Sequence, residues 1–187
     1  MEILDLLIIG AGPIGLNCAL EAKKNNLTYL IVEKGTIVNS LYHYPLYMRF
    51  FSTAEKLEIA EIPFITTAPK PGRQDALEYY QGIARQKDLS INLYEKVLNV
   101  RKNEEIFEVE TSKSRYSAKN VIISTGFYDL PNTMNIPGEN LEKVKHYYTY
   151  PFFFSQQKIV VLGSSNSAFD AALDTYRKVA YVTMIIR

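Results

Sequence analysis

The sequence predicts an α/β chain: a parallel sheet extended by a small antiparallel meander, then a second strand–helix–strand unit that begins and is not completed. Three observations lead there. An apolar run passes through a glycine-rich turn into helical spacing, short β-rich runs alternate with charged turns, and the opening pattern returns from residue 158.

Residues 3 to 9 form an apolar run ending at Gly10, after which Ile14, Leu16, Ala19, Leu20 and Ala22 recur at helical spacing as far as "KKNN". "TYLIVEK" supplies the second β-rich run, so the opening is a strand, a turn, a helix and a strand of the length that parallel pairing needs. Residues 35 to 75 are rich in Pro, Tyr and Phe with no sustained period, apart from a short helix expected at "TAEKLEIA". "QDALEYYQGIARQKD" (74 to 88) reads as an amphipathic helix with Leu77, Tyr80 and Ile83 on one side. "SINLYEKVLNVRK", "EIFEVET" and "SRYSAKNVIIST" follow as strands of a meander that leads back into the sheet. Gly126, Pro131, Pro137, Gly138 and Pro151 then punctuate a connector. The expected division is a first domain over 1–125, a connector over 126–157 and the start of a second domain over 158–187.

Composition narrows the chemistry. The 187 residues carry 21 basic and 20 acidic side chains, a formal charge of +1 with no long single-sign run, so nothing favours nucleic acid or an anionic membrane as a partner. No uninterrupted apolar stretch approaches the roughly 20 residues that span a bilayer. Cys18 is the one cysteine, which rules out an internal disulfide or a multi-cysteine metal site within this chain and fits a reducing cytoplasm. A small molecule is the expected partner, with no metal, and homo-oligomerisation is left open.

"GAGPIG" places glycines at 10, 12 and 15 in a G-x-G-x-x-G pattern. Gly10 permits the tight turn, Gly12 lets the backbone approach a pyrophosphate, and Gly15 allows the helix to pack closely on the strand. The helix N-terminus adds free N–H groups and a positive dipole end. Glu33 closes the next strand, where an acid can accept a ribose hydroxyl proton. "KIVVLGSSNSAFDAALDTYRKVAYVTMIIR" repeats the design: Gly163 aligns with Gly10, Ser165 with Gly12 and Ala168 with Gly15. The serine hydroxyls add donors for phosphate oxygens. Arg187 stands near the place corresponding to Glu33, where an arginine can clamp a 2′-phosphate, which favours NADPH over NADH. This second copy stops at Arg187 after one further strand, short of a complete mononucleotide half, and the expectation is the N-terminal part of something longer.

These segments together, with "VIISTGFYDLPNTMNIPGE" between them, resemble the two-dinucleotide flavoproteins of the thioredoxin-reductase-like group, and "YPLYMRFFSTAEKLEIAEIPF" is similar to the bacillithiol-disulfide reductases within it. The resemblance implies a Rossmann-like FAD/NAD(P)-binding fold, with FAD on the first unit and NADPH on the second. By motif matching, Gly10, Gly12, Pro13, Ile14, Gly15, Glu33 and Lys34 would contact the FAD pyrophosphate and ribose. Val97 would meet the adenine through its backbone, Thr125 and Gly126 would lie beside the dinucleotide, and Phe51, Ser52 and Thr53 near the isoalloxazine ring. Gly163, Ser164, Ser165, Asn166, Ser167 and Arg187 would take NADPH.

The chain departs from its resemblances at two places. Members of the narrower family often carry a cysteine at the position of Ile14; here Cys18 lies one helical turn deeper and reads as a buried apolar thiol. In "HYYTYPFFF", Tyr147 and Tyr150 stand where thioredoxin reductases carry their redox dithiol, and tyrosine cannot undergo thiol–disulfide exchange. Phe152, Phe153 and Phe154 are expected to pack beneath the second domain. His43 and His146 read as ordinary loop histidines, and no catalytic residue is assigned. The expected function is an NADPH-dependent FAD oxidoreductase that passes electrons to a small acceptor, such as a low-molecular-weight disulfide. One rival is a flavin-dependent monooxygenase, although seven residues separate Gly138 from His146 where that signature has three. The other is a truncated, non-catalytic nucleotide-binding or interaction module.

Overall fold

The computed structural model describes residues 3–178 and 181–186, which fall into two compact units. The first takes in the described residues up to His43 together with Arg49–Leu130; the second combines Tyr44–Met48 with the described residues from Pro131 onward.

In the first unit, β1 (Ile3–Ile9), α1 (Pro13–Lys24) and β2 (Tyr29–Val32) form the expected βαβ unit. A single turn of helix, α2 (Asn39–Tyr42), and a 3-10 turn (Ala54–Leu57) precede α3 (Arg73–Gln86). Strands β3 (Ile91–Asn92), β4 (Val97–Asn103), β5 (Ile106–Thr111) and β6 (Arg115–Ile123) complete a six-stranded sheet of order β3-β2-β1-β6-β5-β4. β1 lies parallel between β2 and β6, with Ile9 opposite Val32 on one side and Ile123 on the other. Its run from Leu6 to Ile9 is buried without interruption, as expected of a parallel strand flanked on both edges. Leu7, Ile9, Leu30, Val32, Val109 and Ala118 form the core on one face, and residues of alternate parity point to the other. The β4-β5-β6 meander is antiparallel, as the charged turns predict.

Local chemistry sets two element boundaries differently from the sequence reading. "TAEKLEIA" yields only the 3-10 turn, because Ala60 and Glu61 take positive φ values of 50° and 57° and turn the chain back, closing Ile62 N–H onto the Ile59 carbonyl. "SINLYEKVLNVRK" splits into β3, parallel to β2, and β4, antiparallel to β5, at Tyr94, whose φ of 55° breaks the strand. On α3, Leu77, Tyr80 and Ile83 are buried as expected, and the Asp75 carboxylate accepts the Gly72 N–H at 2.7 Å to close the helix start.

The second unit holds a 3-10 turn (Pro151–Phe154), β7 (Lys158–Leu162), α4 (Asn166–Lys178) and β8 (Tyr181–Ile185), with β7 and β8 parallel. Tyr148 donates from its hydroxyl to Asp174 Oδ2 (2.6 Å), Lys178 pairs with Asp174 Oδ1 (2.6 Å), and the Lys178 ammonium lies over the Tyr47 ring (4.4 Å). The Leu46 N–H donates to the Thr149 carbonyl, so segment 44–48 is tied into this unit. The phenylalanines of "PFFF" do not supply its buried anchor: Phe152 and Phe153 are exposed, and Pro151 is the buried residue.

Candidate functional site

The site is built where β1 runs into α1. Gly10 takes φ +106°, and a Cβ there would stand 2.6 Å from the Ser124 carbonyl oxygen. At Gly15 a Cβ would stand 1.9 Å from the Gly10 carbonyl oxygen and 2.8 Å from Ser124 Oγ, so the helix sits against the turn with no room for a side chain. Ser124 Oγ lies 3.0 Å from both the Ile9 and Gly10 carbonyls, and its N–H donates to Ile9 O. Gly12 differs from its neighbours: its φ is −74°, and the nearest atom to an added Cβ would be Ser124 O at 4.0 Å. Nothing in the fold requires a glycine there.

That difference decides whether a dinucleotide fits. Gly10 and Gly15 serve the chain's own packing, whereas at Gly12 the described residues leave open a surface that a diphosphate could approach. Gly12 is the N-cap of α1 with no side-chain cap bond, and Pro13 occupies the first turn, so the helix N-terminus presents backbone N–H groups to that surface. Ile14, in the same turn, is exposed.

Glu33 leaves β2 buried, with Oε2 accepting the Ala11 N–H (2.8 Å) and Oε1 the Gly35 N–H (2.9 Å). Each carboxylate oxygen retains acceptor capacity for a further donor. The acid foreseen for a ribose hydroxyl therefore also holds the glycine turn. Lys34, foreseen beside the cofactor, is ion-paired with Asp129. Thr125 lies against the turn, its Cα 3.3 Å from where a Gly10 Cβ would be, and Gly126 takes φ +68° just beyond. Val97 opens β4 at a register shift, half-buried against the core. Phe51 is exposed, and Thr53 stands at the start of the 3-10 turn without a side-chain cap bond. The structure thus gathers Gly10, Gly12, Pro13, Ile14, Gly15, Glu33 and Thr125 around one turn, and places Val97 and Phe51–Thr53 on other segments.

In the second unit Gly163 takes φ +136°, and its N–H donates to Ile185 O (3.0 Å). Ser165 O accepts the Ala168 and Phe169 N–H groups as α4 begins, and Ser164, Ser165, Asn166 and Ser167 are exposed. Ala168 stands 3.5 Å from a Gly163 Cβ position, an ordinary contact, so this turn tolerates alanine where the first demands Gly15. Arg187 lies outside the described residues.

Sequence reasoning missed Ser124 and Asp129. Ser124 follows the strand that lies parallel to β1 in register, so the pairing of two apolar runs was the signal that it would end beside Gly10. Cys18 is half-buried, and burial pushes its thiol up, the opposite of an activated thiolate. Among the described residues, no group of three or more His, Cys, Asp or Glu could hold a metal ion, and no helix is long and apolar enough to cross a membrane.

The family model for pyridine nucleotide-disulphide oxidoreductases matches residues 7–187. The chain belongs to that family. It is 44% identical over 184 residues to the bacilliredoxin reductase of Bacillus subtilis, covering 97% of this chain and 56% of the relative. A solved bacillithiol disulfide reductase from Staphylococcus aureus superposes with a TM-score of 0.96 at 39% identity, covering all of this chain and 58% of that one. A flavin monooxygenase from Stenotrophomonas maltophilia gives a TM-score of 0.89 at 23% identity, with the same coverage of 100% and 58%, and shares the fold. The chain therefore spans just over half the length of the relatives it matches. The α/β class with a mainly parallel sheet is that of these neighbours, and FAD and NAD(P) are the cofactors of the family's flavin-dependent oxidoreductases.

Proposed function

We propose that this chain carries the FAD site and the beginning of the NADPH site of a flavin-dependent disulfide reductase, with residues 1–125 as the FAD domain, 126–157 as the connector and 158–187 opening the NADPH domain. The observation that carries the reading is Gly12, a glycine that the protein's own packing does not need, at the mouth of a turn whose other two glycines it does need.

The residues act by binding and orienting. The first-turn amides of α1 would meet the diphosphate, Glu33 would take a ribose hydroxyl with its remaining acceptor capacity, and the Val97 backbone would face the adenine. Lys34, Phe51, Ser52, Thr53, Thr125 and Gly126 would complete that surround. In the second unit, Gly163 and Ser164–Ser167 would hold the NADPH diphosphate, with Arg187 on the 2′-phosphate. FAD, when bound, supplies the two-electron redox chemistry that no side chain of this chain offers.

The proposed acceptor is a low-molecular-weight thiol disulfide, by analogy with the Staphylococcus aureus neighbour. The resemblance sets Tyr147 and Tyr150 where thioredoxin reductases carry their dithiol, and Cys18 is half-buried with a raised thiol, which favours a small disulfide as acceptor. The monooxygenase reading has fold likeness behind it and a signature spacing against it. Anaerobic reduction of the FAD-reconstituted protein with NADPH, followed by mixing with bacillithiol disulfide or with oxygen, separates them. Rapid return of the oxidised flavin spectrum with the disulfide, and only slow return with oxygen, is the expected result; oxygen-dependent substrate oxygenation without disulfide turnover would overturn it.

A further inference from the structure

Val38 is a β-branched residue in the left-handed region, with φ 50° and ψ 48°, and is 1% exposed. Such a residue strongly disfavours that conformation, which persists only where its surroundings over-determine it, and cases of this kind cluster at functional sites. The surroundings here do so. Gly35 packs so tightly on Asn39 that a Cβ would stand 2.2 Å from its Oδ1, and the Gly35 carbonyl accepts the Tyr94 N–H. From α3, Arg73 donates to the Leu41 and Tyr42 carbonyls. Val38's own carbonyl accepts the Tyr42 N–H, closing α2.

The left-handed turn aims the Val38 N–H at the Ala11 carbonyl, 2.9 Å away, while the carbonyl of the same peptide, on Ile37, accepts from Gln81 Nε2 of α3 at 3.5 Å. Ala11 is the buried second residue of "GAGPIG", and its own N–H is held by Glu33 Oε2 at 2.8 Å. One peptide group on each side of Ala11 is therefore fixed, by a carboxylate before it and a strained backbone after it. Rotation of either peptide would re-aim the Gly12 backbone and the first-turn amides of α1.

We propose that Val38 is a positioning residue for the glycine-rich turn: its strained N–H and the Glu33 carboxylate lock Ala11 from both sides, pre-organising the turn for a dinucleotide diphosphate. The inference rests on the FAD reading above. Pre-organised sites are held by such supporting bonds rather than by the ligand. The direct test replaces Val38 by its α-hydroxy acid, which exchanges the N–H for an ester oxygen and leaves the side chain in place. The expected result is a roughly tenfold weaker FAD dissociation constant, at least tenfold faster amide exchange at Ala11 and Gly12 without FAD, and unchanged exchange in β1 and β6. If the ester protein does not fold, amide exchange in the unmodified protein serves: the Val38 and Ala11 amides should exchange together and as slowly as β1, and fast exchange at Val38 beside a protected β1 would overturn the proposal. FAD affinity within twofold and unchanged turn exchange in the folded variant would overturn the proposal. If the unmodified protein takes up no FAD, the cofactor assignment fails, and the exchange comparison still decides the role of Val38.

Discussion

Two single-methyl substitutions in the glycine turn should have opposite consequences. In Gly15→Ala the new Cβ would fall 1.9 Å from the Gly10 carbonyl oxygen, a backbone atom that no rotamer change can move aside, and 2.8 Å from Ser124 Oγ. Helix α1 or the turn must shift by about an ångström or more. Overpacking of this kind costs about 1–3 kcal/mol, and losing the Ser124 hydroxyl bond to the turn adds about 1 kcal/mol. The sum, about 2–4 kcal/mol, corresponds to a Tm lower by roughly 10 °C for a chain of this size. In Gly12→Ala the nearest atom is 4.0 Å away and φ is −74°, so stability should change by no more than about 0.5 kcal/mol, with a slight gain from the stiffer unfolded chain. Thermal unfolding of the cofactor-free variants by circular dichroism, beside an FAD titration by flavin fluorescence, reads both effects. Gly12→Ala should keep its Tm and lose FAD affinity at least tenfold. Equal destabilisation by the two substitutions, or unweakened FAD binding in Gly12→Ala, would refute the division of labour among the glycines.

Three further outcomes follow from the same geometry. Glu33→Ala strands the Ala11 and Gly35 N–H groups in a buried site and should cost about 2–4 kcal/mol in urea unfolding, while Glu33→Gln, which keeps one acceptor, should cost less than half of that. Burial pushes the Tyr80 hydroxyl above its ordinary range, so the folded state retains that proton longer than the unfolded chain; this contribution is complete below about pH 10 and is lost as pH rises past it. Tyr80→Phe should therefore flatten the alkaline limb of a stability–pH curve and cost about 1 kcal/mol at neutral pH through the lost bond to the Leu57 carbonyl. Asp5 runs the other way: Lys119, with help from Thr28, holds its carboxyl below the usual range, so its contribution is present above about pH 4 and lost on acidification, and Asp5→Asn should flatten the acid limb.

The elements legible in the sequence were those whose periodicity and burial agree. β1 is apolar without interruption because it is paired on both edges, and α3 shows its apolar side because only one face meets the core. Illegible were the features set by backbone conformation at residues with side chains. The positive φ at Tyr94 splits one expected strand into β3 and β4, and those at Ala60 and Glu61 cut an expected helix to a single 3-10 turn. Val38 belongs to the same class: no propensity argument places a valine in the left-handed region. At the site, the glycine spacing announced the turn, while its supports, Ser124 and the Val38 N–H, arrive from distant segments and leave no local pattern. The phenylalanines of "PFFF" mislead for a related reason, since aromatic content predicts burial only when the backbone turns those side chains inward.

The central proposal is that the first fingerprint takes FAD, the second takes NADPH, and NADPH reduces the FAD. The most direct measurement is anaerobic addition of NADPH to the purified, FAD-reconstituted protein, with the flavin absorbance followed in a stopped-flow instrument and NADH as the comparison. The account predicts stoichiometric FAD uptake and fast bleaching by NADPH, at least tenfold faster than by NADH. A protein that stays colourless after reconstitution, or that holds FAD and fails to bleach, would contradict it.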